Sequence, residues 1–228
     1  MALCVQTYMP KDRRYRVLDL GARRSPGQAL THRELFANHD VHYLGVDVQP
    51  GNNVDIIMRR PYRLPVASNS ADVVISGQVF EHIPFVWASM LEIARVLKPQ
   101  GLAFITAPSR GHLHSTYDCW RYYPDGYRAL AAYAGLAVRE AHTDFPPRSG
   151  RRHDYASIDS DISYWGDSVG VFQKPLHYPR LRMMAVRNVA LWHANHIRDL
   201  ERTPKPQSLP ERARVTDQDM SRGSSWRV

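Results

Sequence analysis

RVLDLG at residues 16–21, followed by the turn ARRSPG at 22–27, is the stretch around which the rest of the chain is arranged. A basic start, two apolar residues, an acid and a glycine predict a short buried strand whose carboxyl end carries Asp19 beside a tight turn. Open α/β sheets bind their ligands at such strand ends. Gly21 has no Cβ, so the backbone can turn sharply there and a ligand can come close, while Asp19 can accept hydrogen bonds from a cationic or hydroxylated group. Asp19, Gly21 and Ala22 are therefore candidate ligand contacts.

VHYLGVDV at 41–48 is a second apolar strand that closes on Asp47, with Val48 next. An acid at that place can take both hydroxyls of a ribose. Between Gly21 and Gly27 lie Arg23, Arg24, Ser25 and Pro26, which make a poor cradle for a pyrophosphate because that group needs bare backbone at a helix start. The expected ligand is a nucleoside without a pyrophosphate. DVVISGQVFEHI at 72–83 supplies the fourth strand over 72–76, whose unbroken apolar run fits a parallel strand buried on both faces. Gly77, Gln78, Glu81 and His82 then face the same rim as Asp19 and Asp47.

These two stretches, the opening VLDLGARRSPG and VLKPQGLAFITAPS at 96–109, in this order and spacing, resemble the class I S-adenosylmethionine-dependent methyltransferases, strongly over 16–108 and more weakly over 122–174. The resemblance implies a Rossmann-like, doubly wound α/β fold: a seven-stranded sheet with one antiparallel strand and helices on both faces. It also implies S-adenosyl-L-methionine lying across the carboxyl ends of the first strands, contacted by Asp19, Gly21, Ala22, Asp47, Val48, Gly77 and Gln78. The family commonly carries an acid just before a stretch like PYRLP, 61–65, where it meets the adenine amino group. Here Arg59 and Arg60 precede Pro61, so adenine contact is left to backbone, to Asp55 or to Tyr62.

A chain of 228 residues, 43% of them hydrophobic, can bury one proper core. The division expected is an arm over 1–15, the methyltransferase domain over 16–174, a basic helical extension over 175–201 and a disordered tail over 202–228. No apolar run is long enough to span a membrane, and the N-terminus lacks the features of a signal peptide, so a cytoplasmic location is expected. The two cysteines, Cys4 and Cys119, fit reduced thiols. The net charge of +8 is compatible with an anionic partner, but solubility with an Arg-rich tail is the favoured account, since net charge alone identifies no partner.

Within the domain, Thr31 followed by Glu34 is a capping-box pattern, predicting a helix from His32 towards Asn38. A third strand is expected over 54–58, a helix over 85–97 with Val86, Met90, Ile93, Ala94 and Leu97 on its core side, and a fifth strand over 102–108. A helix from Pro124 should stop at Gly135, a strand should follow over 136–141, and the antiparallel strand should lie over 166–174. The polar, aromatic segment 144–165 is a candidate lid. In the extension, Val186, Val189, Ala190, His193 and Ile197 share one helical face.

The loop 109–121 roofs the site and carries most of the chemistry. Methyl transfer is an in-line displacement, so positioning does most of the work and no metal is expected. An alcohol acceptor still needs a base. His114 or His112 is the candidate, oriented by Asp118; the alternative is that these residues merely satisfy loop backbone. Glu81 and His82 form a rival pair, whose other reading is capping and packing of the next helix. His112, His114, Asp118 and Cys119 do not form a specific zinc spacing. Trp120, Tyr122 and Tyr123 either stack on an acceptor or bury the helix after them. The expected function is methyl transfer to oxygen of a small-molecule or sugar/glycan acceptor. Alternatives are an RNA or protein methyltransferase, nucleic acid being less favoured for want of an RNA module, and a catalytically inactive partner subunit. A homo-oligomer is possible.

Overall fold

A computed structural model describes residues 1–25, 27, 29–111, 114, 117–143 and 165–197. His112, most of the candidate lid and the tail lie outside the described residues. Two units divide the chain, Met1–Ala194 and Asn195–Val228, and the sheet with its crevice belongs to the first.

The sheet has seven strands: β1 (Tyr15–Leu20), β2 (Val41–Asp47), β3 (Ile56–Ile57), β4 (Ala71–Gly77), β5 (Leu97–Arg110), β6 (Ala137–Thr143) and β7 (Gly166–Gln173). Their order is β3-β2-β1-β4-β5-β7-β6. β1 runs parallel to both β2 and β4, while β7 runs antiparallel between β5 and β6. The order reverses between β1 and β4, where the connections leave in opposite directions and open a crevice at the carboxyl ends.

Both faces of the sheet are covered, which explains the continuous apolar runs of β1 and β4. On one face α2 (Val86–Val96), α3 (Pro124–Ala134) and α4 (Arg180–His196) pack over Leu18, Leu20, Val74 and Ile105. On the other, α1 (Ala2–Tyr8) and a short 3₁₀ helix (His32–Phe36) cover Val17, Ile75 and Phe104. The first residues thus form a helix with Cys4 and Val5 buried. The expected core stripe of α2 is buried, Val86, Met90, Ile93, Ala94 and Leu97 included. Gly135 ends α3 in the left-handed region at φ 68°, a conformation that suits a residue without a Cβ.

Several expectations shift. The capping box forms at Thr31 and Glu34, yet the helix it opens is only a 3₁₀ turn: Ala37 N bonds to Glu34 O and His39 N to Phe36 O. Such i→i+3 closure tightens the turn before polar Asn38 and Asp40 end it. β3 is limited to two residues. β5 starts at once after α2, because Leu97 already pairs with Ala71 and Gln100 N bonds to Lys174 O. On α4 the inner stripe is Met183, Arg187, Ala190 and Ala194 rather than the face centred on Val189, which is exposed. Arg187 belongs inside because Glu92 of α2, itself buried, stands 3.5 Å away.

Lys174 is 2% exposed, with its Nζ donating to Leu97 O and Asn69 Oδ1. Burial, helped by Arg180 and Arg95, pushes its pKa down from 10.5 to about 8. The native state therefore releases this proton before the unfolded chain does, and between those two values stability from this group rises with pH. Urea unfolding should show wild type gaining about 1 to 3 kcal/mol over Lys174→Met from pH 8 to pH 10. A difference that stays flat would contradict this assignment.

Candidate active site

The rim of the crevice is built from the ends of β1, β2 and β4. Gly21 turns at φ 78°, and its N–H and that of Ala22 both reach Val46 O, at 2.9 and 3.1 Å, strapping the turn to β2. Asp19 lies beneath this turn, fully buried. Its carboxylate takes the Tyr43 hydroxyl from β2, and His32 Nδ1 stands 3.2 Å from both oxygens. Asn53 Nδ2 donates in turn to Tyr43 Oη at 3.0 Å and to Ala22 O at 2.9 Å, so one buried network carries the floor.

Asp47 is half-buried at the end of β2, accepting from the Arg23 and Gln49 amides at 3.2 and 2.9 Å. Carboxylate lone pairs remain beyond those two bonds. Val48 beside it is half-exposed. Gly77 ends β4 where a Cβ would lie 2.7 Å from the His32 ring. Gln78 follows with φ 57°, its amide bonded to Thr106 O and its side chain donating to Asp167 Oδ1. Asp55 is already engaged by Gly45 N and Arg33, and Tyr62 packs against Phe85.

A second constellation joins the turn after β4 to the loop after β5. His114 Nδ1 lies 3.0 Å from Asp118 Oδ2, and the His114 amide bonds to the same oxygen. Arg121 grips both oxygens of Asp118, whose side chain is 1% exposed. Burial works to raise that carboxyl, but the Arg121 and His114 hydrogen bonds outweigh it and hold it below the usual range. Glu81, fully buried, brings Oε1 to 3.8 Å from His114 Nε2 and 3.5 Å from His82 Nε2. Among the described residues neither Glu81 oxygen has a hydrogen-bond partner, and burial pushes its pKa well above the usual carboxylate range.

The two constellations are linked: Asp167 Oδ1, which takes Gln78, also takes Trp165 Nε1 at 3.2 Å, and the Trp165 ring stands edge-on to His114 at 5.0 Å. The rival pairs, His114 with Asp118 and Glu81 with His82, therefore converge in one place. Tyr122 is not available to stack on an acceptor, since it is buried against Tyr127 and donates to Phe80 O. Trp120 and Tyr123 keep exposed surface. His32 and Tyr43 carry no motif of their own; only the capping box, which starts the turn at His32, hinted at the former.

A family profile described as a methyltransferase domain, Methyltransf_11, matches residues 25–105. Uncharacterized methyltransferases of Mycobacterium avium and Mycolicibacterium gilvum are 32% and 28% identical to this chain, over 43% and 72% of it. The chain spans 44% and 66% of those relatives' lengths. Among solved structures, the YcgJ protein of Bacillus subtilis aligns with a TM-score of 0.56 at 15% identity, covering 76% of this chain and 97% of that one. Residues 25–105 thus match a methyltransferase domain, on a sheet with the strand order and antiparallel β7 of the α/β methyltransferase fold. The [4+2]-cyclase SpnF aligns as well, with a TM-score of 0.51 at 16% identity over 71% of this chain and 75% of its own, so the fold by itself does not fix a reaction.

The profile includes Asp47, Gly77, Gln78, Glu81 and His82, begins after Asp19, Gly21 and Ala22, and stops short of His114 and Asp118. A nucleoside cofactor fits the rim because carboxylate lone pairs remain on half-buried Asp47 beyond its two amide bonds. Removing the hydroxyl that donates to buried Asp19 should cost about 1 to 3 kcal/mol. Tyr43→Phe is thus expected to lower the urea midpoint without changing the slope of the transition; an unmoved midpoint would show the network to be dispensable.

Proposed function

We propose that the chain transfers the methyl group of S-adenosyl-L-methionine to an oxygen of a small-molecule or sugar/glycan acceptor. The cofactor supplies an electrophilic methyl on a sulfonium. Asp47 would hold the ribose hydroxyls, with Gly21, Ala22, Val48, Gly77 and Gln78 lining the cofactor and Asp19 supporting that floor from below through Tyr43 and His32. With Asp55 and Tyr62 engaged elsewhere, adenine contact falls to main-chain groups.

The observation that carries the oxygen reading is the His114–Asp118 pair. An ionised Asp118, fixed by Arg121, holds a proton on Nδ1 of His114 and leaves a lone pair on Nε2. Such a nitrogen can take the proton of an acceptor hydroxyl as its oxygen attacks. An amine that reaches the site neutral needs no such base. His112, the other candidate base, lies outside the described residues. A partner-subunit role is the second reading, favoured by Arg59 and Arg60 at the place of the adenine acid. No described helix is long and apolar enough to cross a membrane, and the thiols of Cys4 and Cys119, neither in a disulfide, support a cytoplasmic location.

Calorimetric titration with S-adenosylmethionine and S-adenosylhomocysteine separates the readings. Micromolar binding, weakened about tenfold or more in Asp47→Ala, is expected of an enzyme. A folded sample that binds neither would leave the partner-subunit reading. With a hydroxylated acceptor in hand, His114→Ala should lower turnover by about 10² to 10⁴ while sparing cofactor affinity; full turnover in that variant would remove His114 from the mechanism.

A further inference from the structure

Glu81, His82 and His114 present three acceptors to one point. His82 Nδ1 faces the Tyr117 carbonyl oxygen, a group that can only accept, so that nitrogen carries a hydrogen and, in the neutral ring, Nε2 carries a lone pair. His114 is fixed in the same tautomer by Asp118. The two Nε2 atoms stand 3.5 and 3.8 Å from Glu81 Oε1, and one ligand atom from each of the three residues lies within 4.8 Å of the others. Glu81 is fully buried and, among the described residues, no hydrogen-bond donor reaches either oxygen. Three converging lone pairs with nothing positive between them are costly in a buried place.

We propose that Glu81, His82 and His114 bind a divalent transition-metal cation, with zinc and its first-row neighbours as the class. Two imidazole nitrogens and a carboxylate suit such ions, whereas magnesium and calcium favour oxygen donors. Ligand atoms about 2.0 to 2.2 Å from a tetrahedral ion stand roughly 3.4 Å apart, so the 3.5 and 3.8 Å separations need little adjustment. The Nδ1 atoms are held from behind by a backbone carbonyl and by Asp118, the support that metal-ligating histidines ordinarily have. Three protein ligands leave a position for water or a substrate oxygen.

The proposal deepens the acceptor side of the function above and rests on that reading only for its use in catalysis. A nitrogen that holds a cation cannot also take a proton. With the cation bound, coordination activates the acceptor hydroxyl, whose proton passes to water; the base role of His114 then belongs to the cation-free protein. A proton on Glu81 or on an Nε2 atom would close the same gap, and that account predicts no metal site.

The test is titration of chelator-treated full-length protein with Zn²⁺ by calorimetry, with Co²⁺ absorption as a reporter of coordination geometry. About one equivalent should bind at micromolar affinity or tighter and raise the melting temperature. Glu81→Gln and His82→Ala should lose that binding, Asp118→Asn should weaken it by about 10- to 100-fold, and His142→Ala, a surface control, should leave it unchanged. No stoichiometric binding to folded wild type, or binding that survives both Glu81→Gln and His82→Ala, would overturn the site. S-adenosylmethionine affinity measured on the same samples keeps this outcome separate from failure of the methyltransferase reading.

Discussion

A carboxylate with no exposure must find its donors within the fold, and Asp19 finds them on two other elements. Tyr43 reaches it from β2, and His32 from the 3₁₀ turn that follows β1. Satisfying that one charge fixes the register of β1 against β2, brings the 3₁₀ turn over the sheet, and sets the His32 ring against bare Gly77 at the end of β4. The crevice exists because these three strand ends are tied at the point where the sheet order reverses. Asn53 extends the tie to the turn backbone through Ala22 O.

The second buried carboxylate is handled in the opposite way. Glu81 has no hydrogen-bond donor among the described residues, and its pKa rises through burial, whereas Asp118 nearby is fixed by Arg121 and held low. Two acids a short distance apart are thereby pushed to different protonation behaviour, a pattern typical of functional sites. His114 stands between them and His82 between Glu81 and the Tyr117 carbonyl, each with one ring nitrogen committed and the other near Glu81. Trp165 and Asp167 couple this cluster to Gln78, so the cluster and the rim at the strand ends share a wall.

Away from the crevice, buried charge organises the packing in the same manner. Glu92 of α2 receives the Leu64 amide and the Arg95 guanidinium, and Arg187 of α4 stands against it, so one acid joins a helix, a loop and the C-terminal helix. Lys174 does similar work at the other end of the sheet, between β7 and the start of β5. Each replaces apolar contact with a directional bond, which selects one arrangement of helices over others that would bury equal area.

The succession of strands, the antiparallel β7, the stop of α3 at Gly135 and the cap at Thr31 were legible in the sequence by itself, because each depends on residues within one turn or one strand and on the periodicity of burial. The rim residues Asp19, Asp47 and Gly77 were legible for the same reason: they close apolar runs. Only the tertiary structure decided that Asp19 is sealed by Tyr43 and His32, that Arg187 belongs to the inner face of α4, and that Glu81 and His82 meet His114. Those contacts join residues far apart in the chain, and neither helical nor strand period constrains how a loop after β5 returns over a turn after β4. Burial then assigns the chemistry, since a carboxyl group at the rim, Asp47, keeps lone pairs beyond its two amide bonds, whereas buried Glu81 has no donor among the described residues.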